Sequence, residues 1–229
     1  YTGENANRAR WLSLGDGSMA WEKFKQALLD EVRELIDRNS DQGHRADLHH
    51  LGAAFFSRFS AEDMRGRSAE NLYGCLYGLL RFAGHWDGSA ARVRFLNPNI
   101  SSHGWESKAT VLVALCRDMP FCTASVRGEL NQRGIPIHTI ASCNLRTRRD
   151  GEGQLLSVQP PGVEGEDLSR ESLLFFEISR HSHLEDLAPL REAVEGILGD
   201  VETVVGDFSA MREQMGVARR AVETAEAVG

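Results

Sequence analysis

Residues 109–135 read ATVLVALCRDMPFCTASVRGELNQRGI, and the order of patterns inside them decides the fold. Val111 to Leu115 is an apolar run of strand length that stops at Arg117-Asp118, and Met119-Pro120 follows as a turn. Apolar residues then recur at Phe121, Ala124, Val126 and Leu130, a helical spacing closed by Gly134. A second strand begins at once with Pro136 to Ile140. Strand, helix and strand joined this tightly form a crossover that lays a helix on one face of a sheet. The rest of the chain must complete that sheet, cover it or lead away from it.

Toward the N-terminus the pattern is helical. Trp21, Phe24, Leu28, Val32 and Leu35 share one face, with Glu22, Lys23, Asp30 and Glu34 opposite, in a helix ending near Asn39. A second helical segment runs from Arg45 to Phe59. Ser60 with Asp63 three residues on has the form of a helix start, so a short helix or turn begins there. Ser68 caps a further helix carrying Leu72, Cys75, Leu76, Leu79, Phe82 and Trp86 on one face. Arg92 to Leu96 alternates and stops at Asn97-Pro98, which predicts a short strand.

Toward the C-terminus, the second strand of the crossover extends from Ile137 to about Arg149, and Leu155 to Val158 extends a hairpin. Residues 160–167 are an acidic, Gly/Pro-rich loop, and Ser172 to Ile178 is a strand. From Leu187 to Val222 apolar residues alternate by three and four, a coiled-coil period. Gly196, Gly199 and Gly206 each weaken a helix by about 1 kcal/mol relative to Ala, so a break or bend is expected among them. The heptads fit a helix packed on its own domain and a seam to another subunit equally well.

The chain has 229 residues, 41% hydrophobic and 26% charged, which suits a globular protein of one large or two small domains. Its net charge of −7 argues against nucleic acid and anionic membrane as partners. No apolar run is long enough to span a bilayer. Cys75, Cys116, Cys122 and Cys143 sit inside element patterns at spacings unlike a disulfide framework or a metal site, which implies a reducing, cytoplasmic setting. Residues 1–18 lack any period and read as a tail, Gly17-Ser18-Met19 resembling a tag junction.

Together these elements predict an α+β fold in four parts. Residues 1–18 are a tail, 19–105 a helical layer, 106–184 an antiparallel sheet with helices, and 185–229 a C-terminal helical segment. From residue 109 the order is most of a ferredoxin-like βαββαβ, with the last strand missing and a longer helix in its place. Small domains of this type leave an open edge strand for pairing.

Residues 55–64 (FFSRFSAEDM), 66–74 (GRSAENLYG), 92–98 (RVRFLNP), 103–107 (HGWES), 118–121 (DMPF), 131–134 (NQRG) and 208–212 (FSAMR) resemble, in this order, the N-terminal region of the large bacterial NAD-specific glutamate dehydrogenases. That resemblance implies an ACT-like regulatory region of a much longer enzyme of amino acid catabolism, which oxidises L-glutamate to 2-oxoglutarate and ammonia. NAD and the catalytic residues would lie in a downstream domain. No GxGxxG joins a strand to a helix here, and only Lys23, Lys25 and Lys108 are available as lysines, so no catalytic, cofactor-binding or metal residue is assigned. The implied partners are downstream domains of the same chain, further copies in a homo-oligomer, and an amino-acid effector acting allosterically.

Asp118, Met119, Pro120 and Phe121 are the candidate effector-binding turn. In amino-acid-binding ACT domains this turn resembles Asp-x-Pro-Gly, and the helix after it offers unpaired N–H groups to a carboxylate. Phe121 stands where that glycine would be, so the plainer expectation has Asp118 capping the helix and Phe121 filling the core. The leading reading is a non-catalytic regulatory and assembly segment. An amino-acid sensor is the alternative, and a cysteine hydrolase using Cys122 with His138 is a distant third. Arg146, Arg148 and Arg149, with Arg92 and Arg94 nearby, form a basic patch suited to an acidic surface.

Overall fold

The computed structural model describes residues 17–226, with side chains over 19–207. In chain order the elements are α1 (Gly17–Asn39), α2 (Gln42–Phe56), α3 (Ala69–Ala83), β1 (Arg92–Leu96), α4 (Ile100–His103), β2 (Thr110–Arg117), α5 (Cys122–Gln132), β3 (Ile137–Arg149), β4 (Leu155–Val158), β5 (Ser169–Ile178), a 3-10 turn (Leu184–Leu187) and α6 (Ala188–Glu226). Local chemistry sets the helix starts. The Asp41 side chain accepts from the His44 N–H, and Ser68 accepts from Asn71 N–H at 3.2 Å. Ser60 and Asp63 bond reciprocally, N–H to side chain at 2.8 and 3.2 Å, and hold a turn rather than a helix.

The five strands form one sheet in the order β1-β2-β5-β3-β4, antiparallel throughout. β5 inserts between β2 and β3, so the β2–α5–β3 crossover is split around it. The sheet is not a strand short. The place left by the missing last strand is filled from upstream by β1, with Arg92 opposite Leu115 and Leu96 opposite Val111. The sheet needed a partner for β2, and a short alternating strand supplied it from the N-terminal side.

Period-2 alternation sends each strand's side chains into two separate cores. Val111, Val113 and Leu115 of β2, Ala141, Cys143 and Leu145 of β3, and Leu173 and Phe175 of β5 face a layer built from α1, α2 and α3. Leu112, Ala114 and Cys116, with Leu174, Phe176 and Ile178, face α5 and the start of α6. Leu190, Val194 and Leu198 bury the first turns of α6 there. The helix continues unbroken through Gly196, Gly199 and Gly206, so the expected break does not occur. Packing of Leu198, Ile197 and Val201 against the sheet offsets a cost of about 1 kcal/mol for each glycine. The seam residues Phe208, Met211, Met215, Ala218 and Val222 lie outside the described side chains. Among the described residues no helix is long and apolar enough to cross a membrane.

Two blocks of the quoted resemblance touch each other in space. A Cβ on Gly74 would come within 2.4 Å of the Gly104 carbonyl oxygen, so α3 presses against the Gly104-Trp105 loop. Asn71 secures that loop, donating to Glu106 O at 3.0 Å and accepting from Glu106 N at 3.3 Å.

Carboxylates sit at both ends of β5 on its helical-layer face. Glu177 takes two bonds from Arg67, at 3.2 and 2.5 Å, and one from Ser107 at 2.9 Å. Burial alone raises its affinity for a proton, but the bonds from Arg67 and Ser107 outweigh that and hold the carboxyl below the ordinary 4.5. A depressed folded value stabilises fully above the unfolded value and is lost as pH falls through the folded one. Urea midpoints are therefore expected to fall as pH drops below 4.5, with a shallower slope in Glu177→Gln.

Candidate effector site

The turn between β2 and α5 is not held by an Asp118 cap with Phe121 in the core. Phe121 has φ 73° and is the one non-glycine residue with positive φ among those described. It takes the backbone conformation that glycine takes most easily. Its side chain is 72% exposed, so it does not fill the core. The helix explains this: Cys122, Val126 and Leu130 form its buried stripe, which leaves the residue before Cys122 pointing outward.

Asp118 does not cap α5, which has no side-chain cap. Its carboxylate accepts from Arg146 Nη1 at 3.1 Å and from Ser172 Oγ at 3.4 Å, because β3 and β5 bring those residues beside the end of β2. Arg146 also donates to both oxygens of Glu164, which in turn accepts from Arg170 at 2.9 Å. The Arg146 bonds hold the Glu164 carboxyl below its ordinary range. The acidic loop is thereby fastened beside the turn.

Asp118, Met119, Pro120 and Phe121 line one side of an open cleft of roughly 470 Å³. Its floor is Ser142 and Asn144 of β3 and Ser172 and Leu174 of β5. Ser172 Oγ lies 3.3 Å from Asn144 Oδ1. The uncapped α5 end offers N–H groups to a carboxylate, while Asp118 and Asn144 offer acceptors to an ammonium group. Sequence reasoning found the turn but missed Ser142, Asn144 and Ser172. The available signal was their polarity at alternate positions on the strand face that otherwise carries Ile140, Leu174 and Phe176.

Because Phe121 is exposed and its backbone is strained, Phe121→Gly should not destabilise. Relief of the left-handed conformation, about 1–2 kcal/mol, is partly offset by glycine's extra unfolded-state freedom, about 0.5–1 kcal/mol. The expected outcome in urea unfolding is unchanged or slightly higher stability. A loss of several kcal/mol would mean a core position instead.

The remaining candidates resolve into structure. Arg146, Arg148 and Arg149 pair with Asp118 and Glu164, with Asp167, and with Glu171 respectively, so the predicted patch is neutralised within the chain. Arg92 and Arg94 lie over the Phe82 ring, at 5.0 and 5.5 Å, and Arg92 donates to the Phe82 carbonyl next to the Ala83 carbonyl that Arg149 takes. All four cysteines are free and buried. Burial pushes Cys75 and Cys143 up to about 12. The Cys116 thiol donates to the Ser172 carbonyl at 3.9 Å, and the interaction between the Cys116 and Cys122 thiols lowers Cys122 and raises Cys116 from their ordinary values. Among the described residues no hydrogen bond joins Cys122 to His138. His49 bonds Asp37 at 2.8 Å and His50 bonds the Val158 carbonyl at 2.7 Å. No group of His, Cys, Asp and Glu able to hold a metal occurs among the described residues. The β2–α5 turn, Arg117 to Phe121, has no glycine to bring backbone against a pyrophosphate, so these residues do not fit NAD.

Residues 51–194 match the family model described as glutamate dehydrogenase, ACT1 domain. The chain is 35% identical over 209 residues to an NAD-specific glutamate dehydrogenase of Halomonas elongata, covering 91% of this chain and 13% of that protein. It is 39% identical over 158 residues to an NAD-specific glutamate dehydrogenase of Pseudomonas aeruginosa, covering 69% of this chain and 10% of that protein. The chain therefore spans only a small part of the curated relatives it matches. No solved structure matches it. With the antiparallel α+β sheet and a family match over residues 51–194, this chain belongs to the glutamate dehydrogenase ACT1 domain family.

Proposed function

We propose that this chain is a regulatory and assembly segment, without turnover of its own, of an NAD-specific glutamate dehydrogenase. The parent reaction would convert L-glutamate, NAD and water to 2-oxoglutarate, ammonia and NADH, with NAD and the reacting groups held elsewhere in the longer protein. The observation that carries this reading is the match of 91% and 69% of the chain to 13% and 10% of two such enzymes. The interior supports it: its buried carboxylates are all in use, Glu171 paired with Arg149 between strands, Glu177 with Arg67 between the sheet and the helical layer, and Asp47 accepting from Val158 N–H. Its partners are then downstream domains of the same polypeptide and further copies in a homo-oligomer.

A direct assay tests the claim. The purified chain with glutamate and NAD is expected to form no NADH above the blank, and glutamate-dependent NADH production by it would overturn the reading.

A second reading, an amino-acid sensor, is favoured by the cleft at Asp118–Phe121, which the start of α5 and the side chains of Ser142, Asn144 and Ser172 also line. Screening the common amino acids by thermal shift separates the two. A rise of several degrees at millimolar ligand, lost in Asp118→Ala, supports sensing, and a flat profile supports a scaffold.

A further inference from the structure

We propose that the outer edge of β1 takes up an acidic, extended segment of another polypeptide as a sixth strand of the sheet. The two edges of this sheet are treated differently. At the β4 edge, Val158 N donates to Asp47 at 2.7 Å, the Val158 carbonyl accepts from His50 at 2.7 Å, and Leu155 N donates to Gly84 O at 2.8 Å. The helical layer thereby closes that edge. At the β1 edge, residues 92–96 make backbone hydrogen bonds only to β2 among the described residues. An unclosed strand presents N–H and C=O groups at every second residue, which is the requirement for strand addition.

The chemistry beside this edge selects the partner. An open groove of roughly 460 Å³ runs between Arg92–Phe95 on one wall and Leu184, Ala188 and Arg191 on the other. Arg94 and Arg191 are exposed, and neither has a carboxylate within ion-pairing distance among the described residues. Glu185, the acid of the groove, stands 3.4 Å from His183. Arg92 is held on the Phe82 and His85 carbonyls at 3.0 and 2.6 Å, and it shares the Phe82 ring with Arg94. Burial and the like charges of Arg94 and Arg149 lower the Arg92 guanidinium from its ordinary value, so an added carboxylate nearby relieves repulsion. This is a cationic edge on a chain of net charge −7.

Alternation then specifies the segment. Arg92 and Arg94 point to the face shared with Phe82, whereas Val93 and Phe95 point to the face shared with α6. A fitting strand carries acids on the first face and apolar residues on the second. A second copy of β1 fits poorly. Antiparallel self-pairing centred on Arg94 sets Arg94 against Arg94, and like charges directly opposite are destabilising.

The test uses two capped octapeptides, alternating Glu-Val and alternating Lys-Val, titrated into the isotope-labelled chain at low salt. The Glu-Val peptide is expected to move the amide signals of residues 92–96 saturably, and the Lys-Val peptide to leave them in place. Charge reversal in Arg94→Glu is expected to weaken the response about tenfold or more, with Arg94→Gln between the two. Arg94 is exposed, so both variants should keep the parent circular dichroism spectrum. Four outcomes overturn the proposal: no saturable shift with Glu-Val, equal response to both peptides, an unchanged response in Arg94→Glu, or sedimentation showing a peptide-free dimer joined through β1.

Discussion

Arg149→Met is expected to cost about 3–5 kcal/mol of stability, because it strands a buried charge. Glu171 is 0% exposed, and Arg149 meets it at 2.6 and 2.8 Å, with the Thr147 hydroxyl donating to the same carboxylate. Without the guanidinium, that hydroxyl is the one side-chain donor left to the carboxylate among the described residues. Arg149 also ties three parts of the chain together. It donates to Ala83 O at the end of α3 and to Gly153 O in the hairpin turn, each at 2.9 Å, and lies 5.8 Å from the Trp86 ring. For a chain of this size the melting temperature should drop by roughly 10 °C.

The double variant Arg149→Met with Glu171→Leu removes both charges and should recover part of that loss, since replacing a buried pair by apolar residues is often close to neutral. Full recovery is not expected, because the Ala83 carbonyl loses its Arg149 donor, at about 1–3 kcal/mol for a buried unsatisfied group, whereas the Gly153 carbonyl keeps the Trp86 N–H at 2.9 Å. If the single and double variants melt together, the cost does not arise from the stranded carboxylate, and the argument from charge burial fails.

Phe175→Ala is expected to cost a similar amount, about 3–5 kcal/mol, for a different reason. Phe175 is fully buried, its ring 5.4 Å from Phe55, 6.3 Å from Phe59 and 6.5 Å from Trp105. It is the point where β5 meets α2, the turn after it and the loop before β2. Its neighbour Phe176 is equally buried but faces α5 and α6. Hydrogen exchange therefore distinguishes them. Phe175→Ala should speed exchange first in α2 and α3, and Phe176→Ala first in α5 and the start of α6. The same residues opening in both variants would mean that the sheet does not separate two cores.

Much of the architecture was legible because it rests on local periodicity. The Val111–Leu115 run, the helical spacing after Met119-Pro120, and the strands at Ile137 and Ser172 all recur in the fold near their expected bounds. So does the helical layer before Trp86, with Ser68 as a cap. The strand at Arg92 was legible too, but its place was not. Nothing in five alternating residues says that they will pair with β2 and complete the sheet.

The candidate site was less legible, for the same reason. Asp118 precedes a helix, so its local chemistry predicts a cap, yet Arg146 lies within 3.1 Å and takes it instead. Arg146, Arg148 and Arg149 looked like a free patch because their carboxylates lie 18 to 22 residues away or farther back in the chain.

By itself the sequence determined which segments are strands and helices and which faces are apolar, since those follow from neighbours within a few residues. The tertiary structure alone decided which edge of the sheet stays open, which charges neutralise one another and which way Phe121 points. Those outcomes depend on groups distant along the chain, whose approach is set by the packing of both cores against the sheet.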